Sequence, residues 1–165
     1  MSTGLIYPPC ISADAHELTE LCKIVSAYGG VFAVHMRNEG DELWESIKEV
    51  LGIGRRSGVS VHISHFKASG ERNWGKVVGG LEMLMKAREE GIDVTVDQYP
   101  YEAGSTFLSS LLPAWAHEGG VRRMMERLRD AGVRKSLAAE MTERGRGSEW
   151  GWDNILVTSV KTKKN

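Results

Sequence analysis

Short apolar runs alternate with amphipathic helical segments along this chain, three times over at a spacing of roughly thirty residues. That pattern restricts the fold more than any other feature of the sequence. The first helical segment runs from about Asp14 to Tyr28. Asp14 is a candidate N-cap, Glu17 stands in capping-box position, and Leu18, Leu21, Cys22 and Val25 make the apolar stripe before Gly29-Gly30 ends it. The run VFAVHMR, Val31 to Arg37, then reads as a buried strand. Asp41 opens a second helix with Leu43, Ile47, Val50 and Leu51 on one face, and Gly58 closes it. The second strand is VSVHISHFK, Val59 to Lys67. After the loop ASGERNWG comes a helix over Val77, Leu81, Leu84 and Met85, ended by Gly91. The third strand is Ile92 to Tyr101, stopped by Pro100, which cannot donate to a ladder. Beyond Ser105 the pattern changes: a loop with Pro113, helical stretches around Val121 to Arg129 and Arg134 to Glu143, and a strand-like run NILVTSV, Asn154 to Val160.

Strand–helix units at this spacing imply parallel strands joined by right-handed crossovers. Polar groups gather at the C-terminal end of each strand: His35 and Arg37, His65 and Lys67, Asp97 and Tyr99. That end is where open α/β sheets and (β/α)8 barrels carry their sites. A whole barrel takes about 250 residues, whereas this chain has 165 and about four strand-like runs. The first of those runs comes only after a helix, and the last is followed at once by the terminus. The expected architecture is therefore α/β, a partial (β/α)8 barrel, with residues 1–165 as its central portion.

Composition sets outer bounds. With 41% hydrophobic and 26% charged residues, the chain has the makings of a soluble domain with a real core. A net charge of −1 offers no field for nucleic acid or an anionic membrane. The sequence has neither an apolar run near the ~18 residues of a spanning helix nor a basic-then-apolar leader. The basic run Lys161 to Lys164 reads as a solvated tail. Cys10 and Cys22 are too few for a disulfide framework, with Cys22 on the apolar side of a helix, and the cytoplasm is the expected compartment. GIGRRSG lies at a helix end rather than opening one, so it does not make a phosphate-binding loop.

The chemistry lies at the strand ends. His35 and His65 hold equivalent positions on successive strands, so on parallel strands in register their side chains converge over one rim. Neutral imidazole is a favoured zinc ligand, and a catalytic zinc keeps one position open for water. Alternation along VHISHFK puts Val61, Ile63, His65 and Lys67 on one face. His62 then points toward the helical layer as a structural residue, like His16 and His117. Lys67 is placed to bind a substrate carboxylate, to form a Schiff base, or to serve as a surface charge. Arg37 repeats its geometry beside His35. The five tryptophans, Trp44, Trp74, Trp115, Trp150 and Trp152, show no stacking spacing and read as cover for core and loops.

Six stretches taken together, GLIYPP, YGGVFAVHMRNEGD, VHISHFKASGERNWGK, DVTVDQYPYEAGST, LLPAWAHEGG and WDNILVTSVKTKKN, resemble the N-acyl-D-amino-acid deacylase (D-aminoacylase) family of the amidohydrolase superfamily, from Gly4 to Asn165. The resemblance implies a zinc-dependent hydrolase on a (β/α)8 barrel. Such an enzyme cleaves the amide of a small N-acyl-D-amino acid to a carboxylate and a D-amino acid. It implies that His35 and His65 are metal ligands and that Lys67 and Tyr99 hold the substrate's carboxylate, with Tyr101 a near alternative; Arg37 is a further substrate-binding candidate. The family's early H-x-H pair, its metal-binding cysteine and its late general-base aspartate have no counterpart in this chain. Cys10 does not match the context of the ligand cysteine, and Asp97 belongs to DQYPY. No catalytic residue is therefore assigned, the general base is expected outside the chain, and the chain alone is expected to be inactive. Exposed strand edges make self-association a further expectation. The alternatives are another amidohydrolase acting on cyclic amides, and a non-catalytic binding domain that keeps part of a barrel.

Overall fold

In the computed structural model, which describes residues 1–147 and 151–160, the chain divides into two compact units, Met1–Gly104 and Ser105–Asn165. Trp150 and the basic run Lys161 to Lys164 lie outside the described residues.

The first unit holds one four-stranded parallel sheet. β1 (Ser2–Gly4), β2 (Val31–His35), β3 (Ser60–Ile63) and β4 (Val94–Val96) lie in the order β1-β2-β3-β4. Crossovers run through α1 (Ala15–Ala27), α2 (Leu43–Ser57) and α3 (Lys76–Glu89). This is the expected α/β class, with successive βα units adding neighbouring parallel strands as in an arc of a (β/α) barrel. β1 differs from expectation: a strand precedes the first helix. Three residues, one of them glycine, are too short to show a period, and only pairing with Ala33, Val34 and His35 makes them a strand.

The helix boundaries follow local chemistry. The Asp14 carboxylate caps α1 by accepting from the His16 and Glu17 amides at 2.9 and 2.8 Å. Gly58 ends α2 at φ +69°, where a side chain would be strained. One face of the sheet is sealed by Phe32, Val34, Val61 and Ile63 against Ile47, Val50, Leu51 and Ile53 of α2. Close approach there depends on Gly54, where a Cβ would meet Val61 Cγ2 at 2.9 Å. On α1 the buried stripe is Leu18, Thr19 and Cys22, with Leu21 exposed. Cys22 is thus a small core residue as expected. The third strand is shorter than predicted, because hydrogen-bonded pairing with β3 covers only Val94 to Val96.

The second unit is helical: α4 (Ala114–His117), α5 (Gly120–Arg129) and α6 (Ala131–Gly147). Ala116, Met124 and Leu137 are buried, and Trp115 Nε1 donates to Glu140 at 2.9 Å. The strand expected over Asn154 to Val160 is absent. Trp152–Asn154 form a single 3-10 turn, and residues 155–160 carry no regular structure. Ile155 has extended angles, but without a neighbouring strand the alternation has no ladder to join. Among the described residues no helix is long and apolar enough to cross a membrane.

The facing of the helices is testable by urea denaturation. Ile47→Ala should cost about 2–5 kcal/mol, the range for emptying a fully buried site, since Ile47 is 0% exposed. Ile24→Ala, at a position 61% exposed, should stay within about 0.5 kcal/mol, with the slope against urea unchanged in both.

Candidate metal centre

On β2, Phe32 and Val34 turn into the helical layer, which leaves Ala33 and His35 on the opposite face. β3 pairs so that Ala33 stands beside His62 and Val34 beside Ile63. His62 is therefore on the same open face as His35, not toward the helices. This corrects the sequence expectation, and it has a definite cause. The face shared by Val61 and Ile63 is the one packed on α2, so their alternation partner His62 must look the other way.

His65 reaches His35 by a different route from strand parity. β3 ends at Ile63, and the chain turns at Ser64 and His65, with His65 at φ +43°. Period-two alternation holds only for extended backbone, and one left-handed residue resets it. Such a conformation costs a non-glycine residue on the order of 1–3 kcal/mol, so the surroundings must impose it. Phe66, 5% exposed, anchors the far side of the turn: a Cβ on Gly80 would stand 2.8 Å from its ring. The amide of Phe66 donates to the Asp97 carbonyl at 2.8 Å.

The result is a compact donor cluster. His35 Nδ1 and His65 Nε2 are 2.8 Å apart, and His65 Nδ1 is 2.8 Å from Glu39 Oε1. Lys67 Nζ donates to Glu39 Oε2 at 2.5 Å. One ligand atom from each of His35, Glu39 and His65 lies within 4.8 Å of the others. Glu39 was not singled out in the sequence. Its signal was a carboxylate four residues after His35 in a loop bounded by Asn38 and Gly40. That loop is a tight turn, in which Asn38 Oδ1 accepts from the amides of Gly40 and Glu42, and its Ser46 anchor holds the Asn38 amide.

Two groups of opposite kind face His65 Nδ1: Glu39 Oε1, which only accepts, at 2.8 Å, and Lys67 Nζ, which only donates, at 3.0 Å. The closer contact assigns the Nδ1 proton toward Glu39. His65 Nε2 is then the acceptor for His35 Nδ1–H, and His35 Nε2 is left with a bare lone pair. That nitrogen is buried without a hydrogen-bond partner among the described residues and lies 3.9 Å from Glu39 Oε2. It does not gain a proton readily either. Burial, then the neighbouring His65 and Lys67, pull the His35 pKa down to about 4. A buried electron-pair donor held neutral beside a second imidazole and a carboxylate is the donor set that suits a divalent transition metal such as zinc.

No family model matches the chain. It is, however, 43% identical over 108 residues to a D-aminoacylase of Alcaligenes xylosoxydans xylosoxydans, a match covering 66% of this chain and 22% of that protein. The N-acyl-D-glutamate deacylase of Bordetella bronchiseptica, solved with zinc and a phosphonate mimic of the tetrahedral intermediate, matches at 39% identity and a TM-score of 0.60. That match covers 61% of this chain and 21% of the other. A D-aminoacylase solved in a study of its binuclear metal centre matches at 40% identity and a TM-score of 0.62, over 67% of this chain and 24% of the other. The chain is a relative of the D-aminoacylases. It spans about a fifth of the length of the curated relatives it matches.

Around the cluster of His35, Glu39 and His65 the remaining candidates separate. Lys67 is 22% exposed and held against Glu39. Tyr99 flanks it: Lys67 Nζ is 5.6 Å from its ring centre, and the His65 ring is 6.4 Å away. Burial and then Glu39 raise the Tyr99 pKa, so its hydroxyl stays a donor. Tyr101, the alternative, stacks on the outer side of Tyr99 and is 74% exposed. Arg37 is not in the cluster. Its guanidinium is clamped to Glu49 at 2.9 and 3.0 Å and donates to the carbonyls of Ile11 and Ala13, both at 2.8 Å. It fastens the loop before α1 to α2.

The lowered His35 pKa has a pH consequence for the metal-free chain. The unfolded chain takes up a proton near the ordinary 6.5, while the folded chain resists until about 4. The His35 contribution is thus fully present above pH 6.5 and is lost as pH falls toward 4. Urea midpoints measured from pH 7.5 to 4 should fall across that window, and the His35→Gln variant should fall less steeply.

Proposed function

We propose that this chain carries the middle of a zinc-dependent N-acyl-D-amino-acid deacylase site, with residues 1–165 as a central portion of the barrel. The observation that carries the reading is the convergence of His35, His65 and Glu39 in a chain about 40% identical to deacylases of this specificity. His35 and His65 would hold the ion, with Glu39 either completing the donor set or orienting His65 through its Nδ1–H. A bound zinc ion supplies Lewis acidity toward an amide carbonyl and toward water.

The chain's own residues would do the rest by charge and position. Lys67 offers the cation for the substrate carboxylate, and its ion-pair partner among the described residues is Glu39. Substrate binding would then share or exchange that partner. Tyr99, kept protonated, adds a hydroxyl donor beside Lys67. Arg37, with four of its five guanidinium N–H groups engaged, serves the scaffold. Glu39 is committed to His65 and Lys67, so it is not assigned as the general base. Two free cysteines suit a reducing compartment such as the cytoplasm. The edges of β1 and β4 favour self-association of the chain on its own.

Zinc titration of the purified chain against a chromophoric chelator tests this directly. Binding should weaken at least about tenfold in His35→Ala and in His65→Ala, and the chain should not hydrolyse an N-acetyl-D-amino acid. Zinc affinity untouched by both substitutions would sink the metal reading. Deacylation lost in His65→Ala would show instead that the site is complete.

A further inference from the structure

His62 and Asp97 lie next to the cluster without entering it, and both are tied to His65. His62 stands beside Thr95 in the β3–β4 register, and Asp97 follows β4 directly. The two carboxylate oxygens of Asp97 have separate partners. Oδ1 accepts the main-chain N–H of His65 at 2.5 Å, and Oδ2 accepts from His62 Nε2 at 2.7 Å. His62 Nδ1 in turn accepts from the Thr95 hydroxyl at 2.8 Å. The main chain of Asp97 closes the arrangement. Its N–H donates to the Ile63 carbonyl at 3.2 Å, and its carbonyl receives the Phe66 amide at 2.8 Å. Residues 63 to 66 are therefore wrapped around one residue of the neighbouring strand end.

The carboxylate meets the turn at the residue that needs it. His65 has φ +43°, and its amide points at Asp97 Oδ1 rather than at a ladder carbonyl. We propose that Asp97, braced by His62, is a positioning residue: it holds the His65 main chain in the left-handed turn that aims the imidazole at His35 and Glu39. The inference rests on the reading of His65 as a metal ligand, but the contact it names belongs to the metal-free chain. Asp97 is more than half exposed and His62 about a third, so neither is a core residue whose loss would empty a packed site. The role joins two strands: the end of β4 sets the direction of a side chain borne after β3.

The test compares Asp97→Ala, Asp97→Asn and His62→Ala with the parent chain, using cobalt affinity, the cobalt d–d absorption band and, without metal, the imidazole nitrogen-15 spectrum. Asp97→Ala should weaken cobalt binding about 10–100-fold, change the absorption band and remove the shifts of the paired His35 and His65 rings. Asp97→Asn keeps an oxygen for the His65 amide and should recover most of the affinity. His62→Ala should fall between the two, with far-ultraviolet circular dichroism unchanged. Parental affinity and nitrogen shifts in Asp97→Ala, or an Asn variant as weak as the Ala one, overturn the proposal. If Asp97→Ala does not fold, His62→Ala decides in the same way. His65→Ala run alongside separates the two levels. If it weakens cobalt binding while the Asp97 and His62 variants do not, the positioning role alone fails. If it has no effect either, the metal reading fails with it.

Discussion

Glu39 is 8% exposed, and a carboxylate so far withdrawn from water persists only where cations and N–H groups replace its hydration. Lys67 and His65 do this, one at each oxygen. The requirement then propagates. With the His65 Nδ1 proton assigned to Glu39, its closer neighbour, His35 donates to His65 Nε2, and the chain of donors ends at His35 Nε2, which has no hydrogen-bond partner among the described residues. In that arrangement one buried carboxylate orders two imidazoles and leaves one lone pair bare. The loop that carries Glu39 earns its place by geometry: the Asn38 turn and the bond from the Ser69 amide to the Glu39 carbonyl at 2.7 Å keep it from swinging out to solvent.

The cluster also depends on the sheet being parallel and in register. His35 ends β2, and its partner across the sheet is where β3 gives way to the turn. A slip of one residue would exchange the faces of β3. Val61 and Ile63 would then lose their seat on α2, so the core enforces the register that the site uses. Gly54 and Gly80 contribute at the same level. They let β3 and Phe66 approach α2 and α3 closely enough that the turn after Ile63 is pinned from behind. Site and core are consequences of one packing arrangement in the first unit.

Much of this was legible in the sequence. Helical periodicity, the Asp14 cap and the Gly58 stop fixed the three crossover helices to within a few residues. Spacing and strand ends brought His35 and His65 together as candidates. The reason first given for His65, alternation along an extended strand, does not hold beyond Ile63, since a left-handed residue leaves no trace in a hydrophobic pattern. The same assumption sent His62 to the wrong face. β1 escaped because three residues carry no period, and the run Asn154 to Val160 misled because alternation signals an extended segment, not a partner for it. Glu39 escaped, and Asp97 was seen only as one polar residue at a strand end, for a shared reason: their contacts lie 26 and 32 residues away, and loop carboxylates are ordinarily solvated.

Arg37 and Lys67 show how two basic residues at matched offsets come to differ. Each stands two positions past a histidine at a strand end. The guanidinium is a rigid fork, and here its prongs are filled by Glu49 and two carbonyls, so moving it would break four bonds at once. The ammonium of Lys67 is a single charge on a flexible stem, which reaches Glu39 Oε2 at 2.5 Å and the His65 carbonyl at 3.1 Å, with the Tyr99 ring beside it. Matched position made both residues candidates, and what separates them is the kind of donor and its place: a rigid fork locked onto Glu49 and two carbonyls, against a flexible ammonium gathered into the histidine cluster.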